Sequence, residues 1–130
     1  MGCGETIAVY GYLCKAIYGY FSVVFARYIR TMQYMSATLV QRSKDTLPNG
    51  VVVEVVVWVV EPPVPGSAHG YKYRLYAGKG GKTLVRYDNE AGKGDHKHVG
   101  ADETEVPFNF VSMAQTLRDF LAEVGALTGG

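Results

Sequence analysis

Cysteine is nearly missing from this chain: Cys3 and Cys14 are the only two in 130 residues, both near the N-terminus. That excludes a disulfide-stapled scaffold, and it removes any Cys/His zinc site near the histidines, which all lie beyond residue 68. A charge imbalance is missing too. Thirteen Lys and Arg face twelve Asp and Glu, so no global basic field advertises a polyanionic partner. Nor is there a clean membrane-crossing run. Ile7 to Ala26 is nearly long enough, but Lys15, its glycines and its tyrosine hydroxyls interrupt it, so stable membrane association is not expected. Met1-Gly-Cys-Gly-Glu5 lacks the basic start and compact apolar core of a secretory signal. The length suits one domain with a single core.

Residues 1–34 read differently from the rest, crowded with Tyr10, Tyr12, Tyr18, Tyr20, Phe21, Phe25, Tyr28 and Tyr34 among few carboxylates. They are expected to be an extension to a domain over 35–130. A true start at Met35 (or Met32) is the favoured explanation, ahead of an added helix or a weak anchor.

From Met35 the pattern is orderly. Ala37 to Arg42 alternates as a short strand, and Leu47-Pro48-Asn49-Gly50 is a turn. Val51 to Val60, nearly all valine, predicts a central strand buried on both faces. Pro62-Pro63-Val64-Pro65-Gly66 cannot continue a ladder and is expected to be a rigid extended loop. In the run from His69 to Ala77, Tyr71, Tyr73 and Leu75 take one face and Lys72, Arg74 and Tyr76 the other. Gly78 to Gly81 is then a hairpin turn, with Thr83 to Asp88 returning. Gly78-Lys79-Gly80-Gly81-Lys82-Thr83 looks like the end of a phosphate-binding loop. It lacks the earlier glycine and the strand-to-helix setting, so turn chemistry explains it.

Ser112, with Gln115 three residues on, predicts a capped helix. Met113, Leu117, Phe120, Leu121 and Val124 should face the sheet, Arg118, Asp119 and Glu123 should point outward, and Gly125 should end it. The expected fold is α+β: an antiparallel sheet of four to five strands with a C-terminal helix packed on one face.

The chemistry concentrates in Tyr87-Asp88-Asn89-Glu90-Ala91-Gly92-Lys93-Gly94-Asp95-His96-Lys97-His98. Histidine titrates near pH ~6.5, so a pair beside carboxylates can move protons or hold a metal. If the chain is extended there, both rings leave one face. Local charge adds to this. From His69 to His98 seven basic residues meet three acidic ones, net +4, while from Val99 onward one basic residue meets five acidic ones, net −4. A basic strand region ending in a histidine pair could collect phosphates, or the two regions could neutralise one another in the fold.

The opening Ala37-Thr38-Leu39, the valine strand with Glu54 and Trp58, and the loop at 63–65 carry a family likeness. So do His69-Gly-Tyr-Lys-Tyr-Arg74, Arg86 to Glu90 followed by Gly94 to His98, and Phe110-Val111-Ser112. From Met35 to about Val124 the chain resembles the TumE-type toxins of toxin–antitoxin pairs. That resemblance implies a small cytoplasmic toxin of a type II system, neutralised by a cognate antitoxin encoded beside it.

The mechanism must come from the residues. The first expectation is a metal-independent endoribonuclease with no cofactor. One of His96 and His98 takes the 2′-hydroxyl proton and the other protonates the leaving 5′-oxygen. Such transfers contribute typically ~10²- to 10⁴-fold. Asp88 or Asp95 fixes a histidine tautomer, and Arg86, Lys97, Arg74 or Lys93 stabilises charge on the phosphate. Lys72 and Tyr87 join Arg74 and Lys93 as substrate-binding candidates, and Tyr71, Tyr73 or Tyr87 could stack an RNA base, though packing suits them better. Side chains two apart point the same way, whereas in-line displacement needs acid and base on opposite sides of phosphorus. His69 is a candidate for that missing partner. The second expectation makes His96 and His98, with Asp88 or Asp95, ligands for a divalent metal. A third treats the basic face as a non-catalytic surface for nucleic acid or antitoxin. A homodimer is left open.

Overall fold

The computed structural model describes residues 35–129; the expected extension over 1–34, with both cysteines and Met32, lies outside the described residues. Six strands form one antiparallel meander in sequence order: β1 (Ser36–Thr46), β2 (Val52–Glu61), β3 (Tyr71–Lys79), β4 (Lys82–Glu90), β5 (Gly94–Val99) and β6 (Thr104–Pro107). A single helix, α1 (Met113–Thr128), follows.

The valine run forms β2, flanked by β1 and β3. Val53, Val55 and Val57 are buried towards the helix, while Val56, Trp58 and Val60 are buried on the opposite face. β-Branched residues suit a strand that is covered on both sides. Gly50 (φ +88°) makes the β1–β2 turn, with Asn49 Oδ1 accepting from the Val51 N–H at 3.0 Å. Gly80 and Gly81, both at positive φ, form the two-residue β3–β4 hairpin, so the phosphate-loop likeness is turn chemistry.

The sheet has one strand more than the four or five expected. β6 is only four residues long, carries Glu105, and shows no apolar alternation, so nothing in its sequence marks it as a strand.

In α1, the Ser112 side chain accepts from the Gln115 N–H at 3.1 Å, but the reciprocal half of the cap is not made: the Gln115 amide donates to Asp119 instead. Met113, Thr116, Phe120 and Val124 are its buried residues. Three expectations need correcting here. Leu121 is exposed at 54% rather than on the core stripe. Glu123 reaches back to the sheet, where it meets Lys97 and Tyr87. The helix also runs through Gly125 and ends at Gly129, which takes the left-handed conformation.

The helix packs over β3 and β4. Its core joins Tyr73, Leu75, Ala77, Val85 and Tyr87 to Met113, Phe120 and Val124. The sheet therefore has an apolar face under the helix and a second face whose β3–β6 end is free to be polar.

Candidate active site on the polar face of the sheet

Register decides which side chains meet. Across β3, β4, β5 and β6 the row Arg74–Asp88–His96–Pro107 lies beside the row Tyr76–Arg86–His98–Glu105. Directly opposed residues in an antiparallel pair leave the same face. Strand alternation thus brings Arg74, Arg86, Asp88, His96, His98 and Glu105 together on the face away from α1. The extended geometry on which the histidine pairing depended is present, and the two imidazoles meet edge-on with centroids 5.0 Å apart.

His96 is buried, with its side chain 5% exposed. Its Nδ1 lies 3.0 Å from the Gly94 carbonyl oxygen and its Nε2 lies 2.9 Å from Asp88 Oδ1. That second contact is an ion pair without hydrogen-bond alignment, so the buried Oδ1 has no aligned donor. The other carboxylate oxygen is held by Arg86, whose Nε donates to Oδ2 at 3.0 Å. Burial alone would push the Asp88 carboxyl up, but the His96 contact and the charges of Arg86 and Lys72 outweigh it and hold it below the ordinary carboxylate value. Contact with Asp88 likewise raises His96 above the usual imidazole value, despite burial. His98 is more open, and its Nδ1 lies 3.2 Å from the Glu103 carbonyl oxygen. One ligand atom from each of Asp88, His96 and His98 lies within 4.8 Å of the others.

The acidic tail neutralises part of the positive segment, pairing with three of its seven basic residues. Arg86 pairs with Glu103 at 2.8 Å, Lys97 with Glu123 at 3.0 Å, and Lys93 with Glu105 and with Glu90 at 3.5 Å. Arg74 pairs with Glu54 at 3.0 Å.

Several candidates fall elsewhere. Lys97 and Tyr87 project under the helix, where the Tyr87 hydroxyl donates to Glu123 at 2.6 Å, so neither meets the histidine pair. Tyr71 and Tyr73 share that face. Tyr73 and Tyr87 are buried packing residues and not base-stacking platforms. Asp95 is also on the helix side, so the carboxylate grouped with His96 and His98 is Asp88. His69 joins Asp95 there. The Tyr71 N–H donates to His69 Nδ1 at 3.1 Å, which places the ring proton on Nε2, 2.9 Å from Asp95 Oδ1. The Tyr73 hydroxyl donates to the same oxygen at 2.6 Å, and Phe110 stacks on the imidazole at 3.7 Å between centroids. His69 is therefore a satisfied packing histidine across the sheet from the pair.

Lys72 lies on the polar face but is buried, with its ammonium donating to the Asn89 carbonyl. It is not placed to meet a solvent-borne phosphate. Burial pushes its pKa below the ordinary 10.5, and Asp88 and Glu90 pull it back only part of the way. The native state thus sheds this proton before the unfolded chain does, and between the two values stability rises with pH. Relative to a Lys72→Met variant, the wild type should gain stability as pH climbs towards 10.5. Urea unfolding of both proteins at stepped pH measures this, and parallel profiles would mean that the ammonium is not desolvated.

Asn89 was not singled out from the sequence. It is fully buried, and its side chain bonds Tyr73 N–H (3.1 Å), Tyr71 C=O (2.7 Å) and Ser67 Oγ (3.1 Å). It ties the start of β3 and the loop before it to the end of β4, directly beside Asp88.

Among the described residues, no helix is long and apolar enough to cross a membrane. Comparison with curated proteins and with solved structures gives no match. The model of one family, described as Toxin TumE, matches residues 25–128, reaching further at both ends than the Met35-to-Val124 likeness. The match spans the whole sheet and the whole helix, and on it the chain belongs to the TumE toxin family.

Proposed function

We propose that this toxin arrests growth by cleaving RNA at the Asp88–His96–His98 site, and that it is the toxin of a type II pair, held inactive in the cytoplasm by a cognate antitoxin. The observation that carries the reading is the convergence of these three side chains on one sheet face, with ligand atoms within 4.8 Å and Arg86 bound to the central carboxylate. Asp88 and His96 each shift the other's titration, and a contacting pair of this kind beside a further histidine is a functional-site candidate. His98 is the more open of the two histidines, and with Nδ1 committed to a backbone carbonyl its Nε2 is the atom left for the chemistry of the site. A purely basic binding surface is the weaker reading, because Arg74, Arg86, Lys93 and Lys97 already have carboxylate partners.

The test is induction of the chain in cells, with growth followed and total RNA run on a gel. Wild type should arrest growth and fragment RNA, and His98→Ala should lower the cleavage rate by about 10²- to 10⁴-fold while the protein stays folded. Arrest with intact RNA would refute the RNA target. Undiminished cleavage by His98→Ala would remove His98 from the chemistry.

A further inference from the structure

Metal-free acid–base chemistry fits this geometry poorly. Both rings leave the same face, and the side chain of His96 is nearly closed to solvent, with both of its nitrogens facing acceptors. The same contacts suit a different task. A carbonyl oxygen only accepts, so Gly94 and Glu103 each fix a proton on the Nδ1 that faces them. The Nε2 lone pair of each ring is then the one available to ligate. Anchoring one imidazole nitrogen to a backbone carbonyl so that the other can ligate is the usual outer-shell arrangement around a metal-bound histidine. Arg86 does the same for the carboxylate, holding Oδ2 and leaving Oδ1 buried without an aligned donor. His96 Nε2 and Asp88 Oδ1, 2.9 Å apart, need something positive between them: a proton in one state, a cation in another.

We propose that Asp88, His96 and His98 bind one divalent transition-metal ion, of the class represented by Zn²⁺. Two imidazoles and one carboxylate favour such an ion over Mg²⁺ or Ca²⁺, which prefer all-oxygen shells. Three protein ligands leave a coordination position open, as catalytic sites require. A phosphate oxygen or a water is the natural occupant of that position. In this respect the proposal deepens the RNA-cleaving reading and rests on it for the metal's purpose. Metal binding itself is measured without RNA.

The experiment uses the full chain carrying Cys3→Ser and Cys14→Ser, so that the two thiols contribute no ligands. After chelator treatment and dialysis it is titrated with Zn²⁺ by calorimetry and with Co²⁺ by visible absorption. One ion per chain at micromolar affinity or tighter is expected, with the absorption bands of nitrogen- and oxygen-bound Co²⁺. His98→Gln and Asp88→Asn should each weaken Zn²⁺ binding by at least tenfold, with circular dichroism confirming the fold. Lys97→Gln, on the other face of the sheet, should leave affinity unchanged. No saturable binding by the wild type, or affinity indifferent to both ligand substitutions, overturns the site. RNA fragmentation that persists in EDTA alongside absent binding would reject the metal and keep the nuclease. Tight, ligand-dependent binding with intact RNA would keep the metal and reject the nuclease.

Discussion

Asn89→Leu is expected to destabilise the domain by about 3 kcal/mol or more, the combined cost of two buried backbone groups left without partners at roughly 1–3 kcal/mol each. Backbone pairing between β3 and β4 extends only as far as Arg74 opposite Asp88. Beyond that point the Asn89 side chain stands in for the missing ladder, accepting from Tyr73 N–H and donating to Tyr71 C=O. Leucine keeps the branching at Cγ, is somewhat larger, and supplies neither bond. Asn89→Asp makes the comparison sharper, because it keeps an acceptor for Tyr73 N–H but turns a carboxylate oxygen towards the Tyr71 carbonyl. Aspartate should therefore not rescue stability at neutral pH, although it differs by one atom. Urea unfolding measures both, and a lower midpoint at unchanged slope is the expected signature. An Asn89→Asp protein as stable as wild type would mean that the amide donor contributes nothing. A domain typically has about 5–15 kcal/mol in hand, so the leucine variant should fold only marginally and accumulate poorly.

Asn89 also shows where reading the sequence reached its limit. The strands that alternate or run apolar, from Ala37 to Asp88, were legible because each period matches one face of the sheet. So was the division of β3 and β4 into two faces. The histidine pairing followed from spacing alone once β5 was known to be extended. What could not be read was which face each polar residue joined. Asp95 is next to His96 in sequence and Asp88 is eight residues before it, yet the turn at Gly92 and Gly94 reverses the chain so that Asp88 lands opposite His96 and Asp95 lands opposite Asn89. Gly94 sits at φ +76° with the Gly66 carbonyl 2.8 Å from where a Cβ would stand, so only glycine lets this turn close against the preceding loop. Lys97 alternates away from the histidines on either side of it and finds Glu123, which had been assigned to solvent. That pairing links residues 26 apart in sequence across sheet and helix, and neither local period encodes it. Long-range neutralisation of the basic segment by the acidic tail was visible in the charge pattern, but its partners were not.

The two-faced sheet leads to the second large effect. Phe120→Ala is expected to lose about 3–5 kcal/mol, the usual range for emptying a buried phenylalanine site. Phe120 is fully buried and meets the Tyr87 ring edge-on, with centroids 5.7 Å apart and planes at 80°. The helix bears on β3 and β4, so little else replaces the contact. Phe120→Leu keeps most of the volume and should lose less than half as much. The polar face is a separate matter. Asp88, His96 and His98 are positioned by strand register, by Arg86 and by the carbonyls of Gly94 and Glu103, none of which touches Phe120. The alanine variant should therefore melt at a much lower temperature, yet in the folded fraction at low temperature it should retain wild-type activity per molecule. Thermal unfolding paired with an RNA-cleavage assay below the melting transition reads both quantities. A per-molecule activity that fell in step with stability would mean that helix docking also shapes the histidine face, and that the two sides of this sheet are not independent.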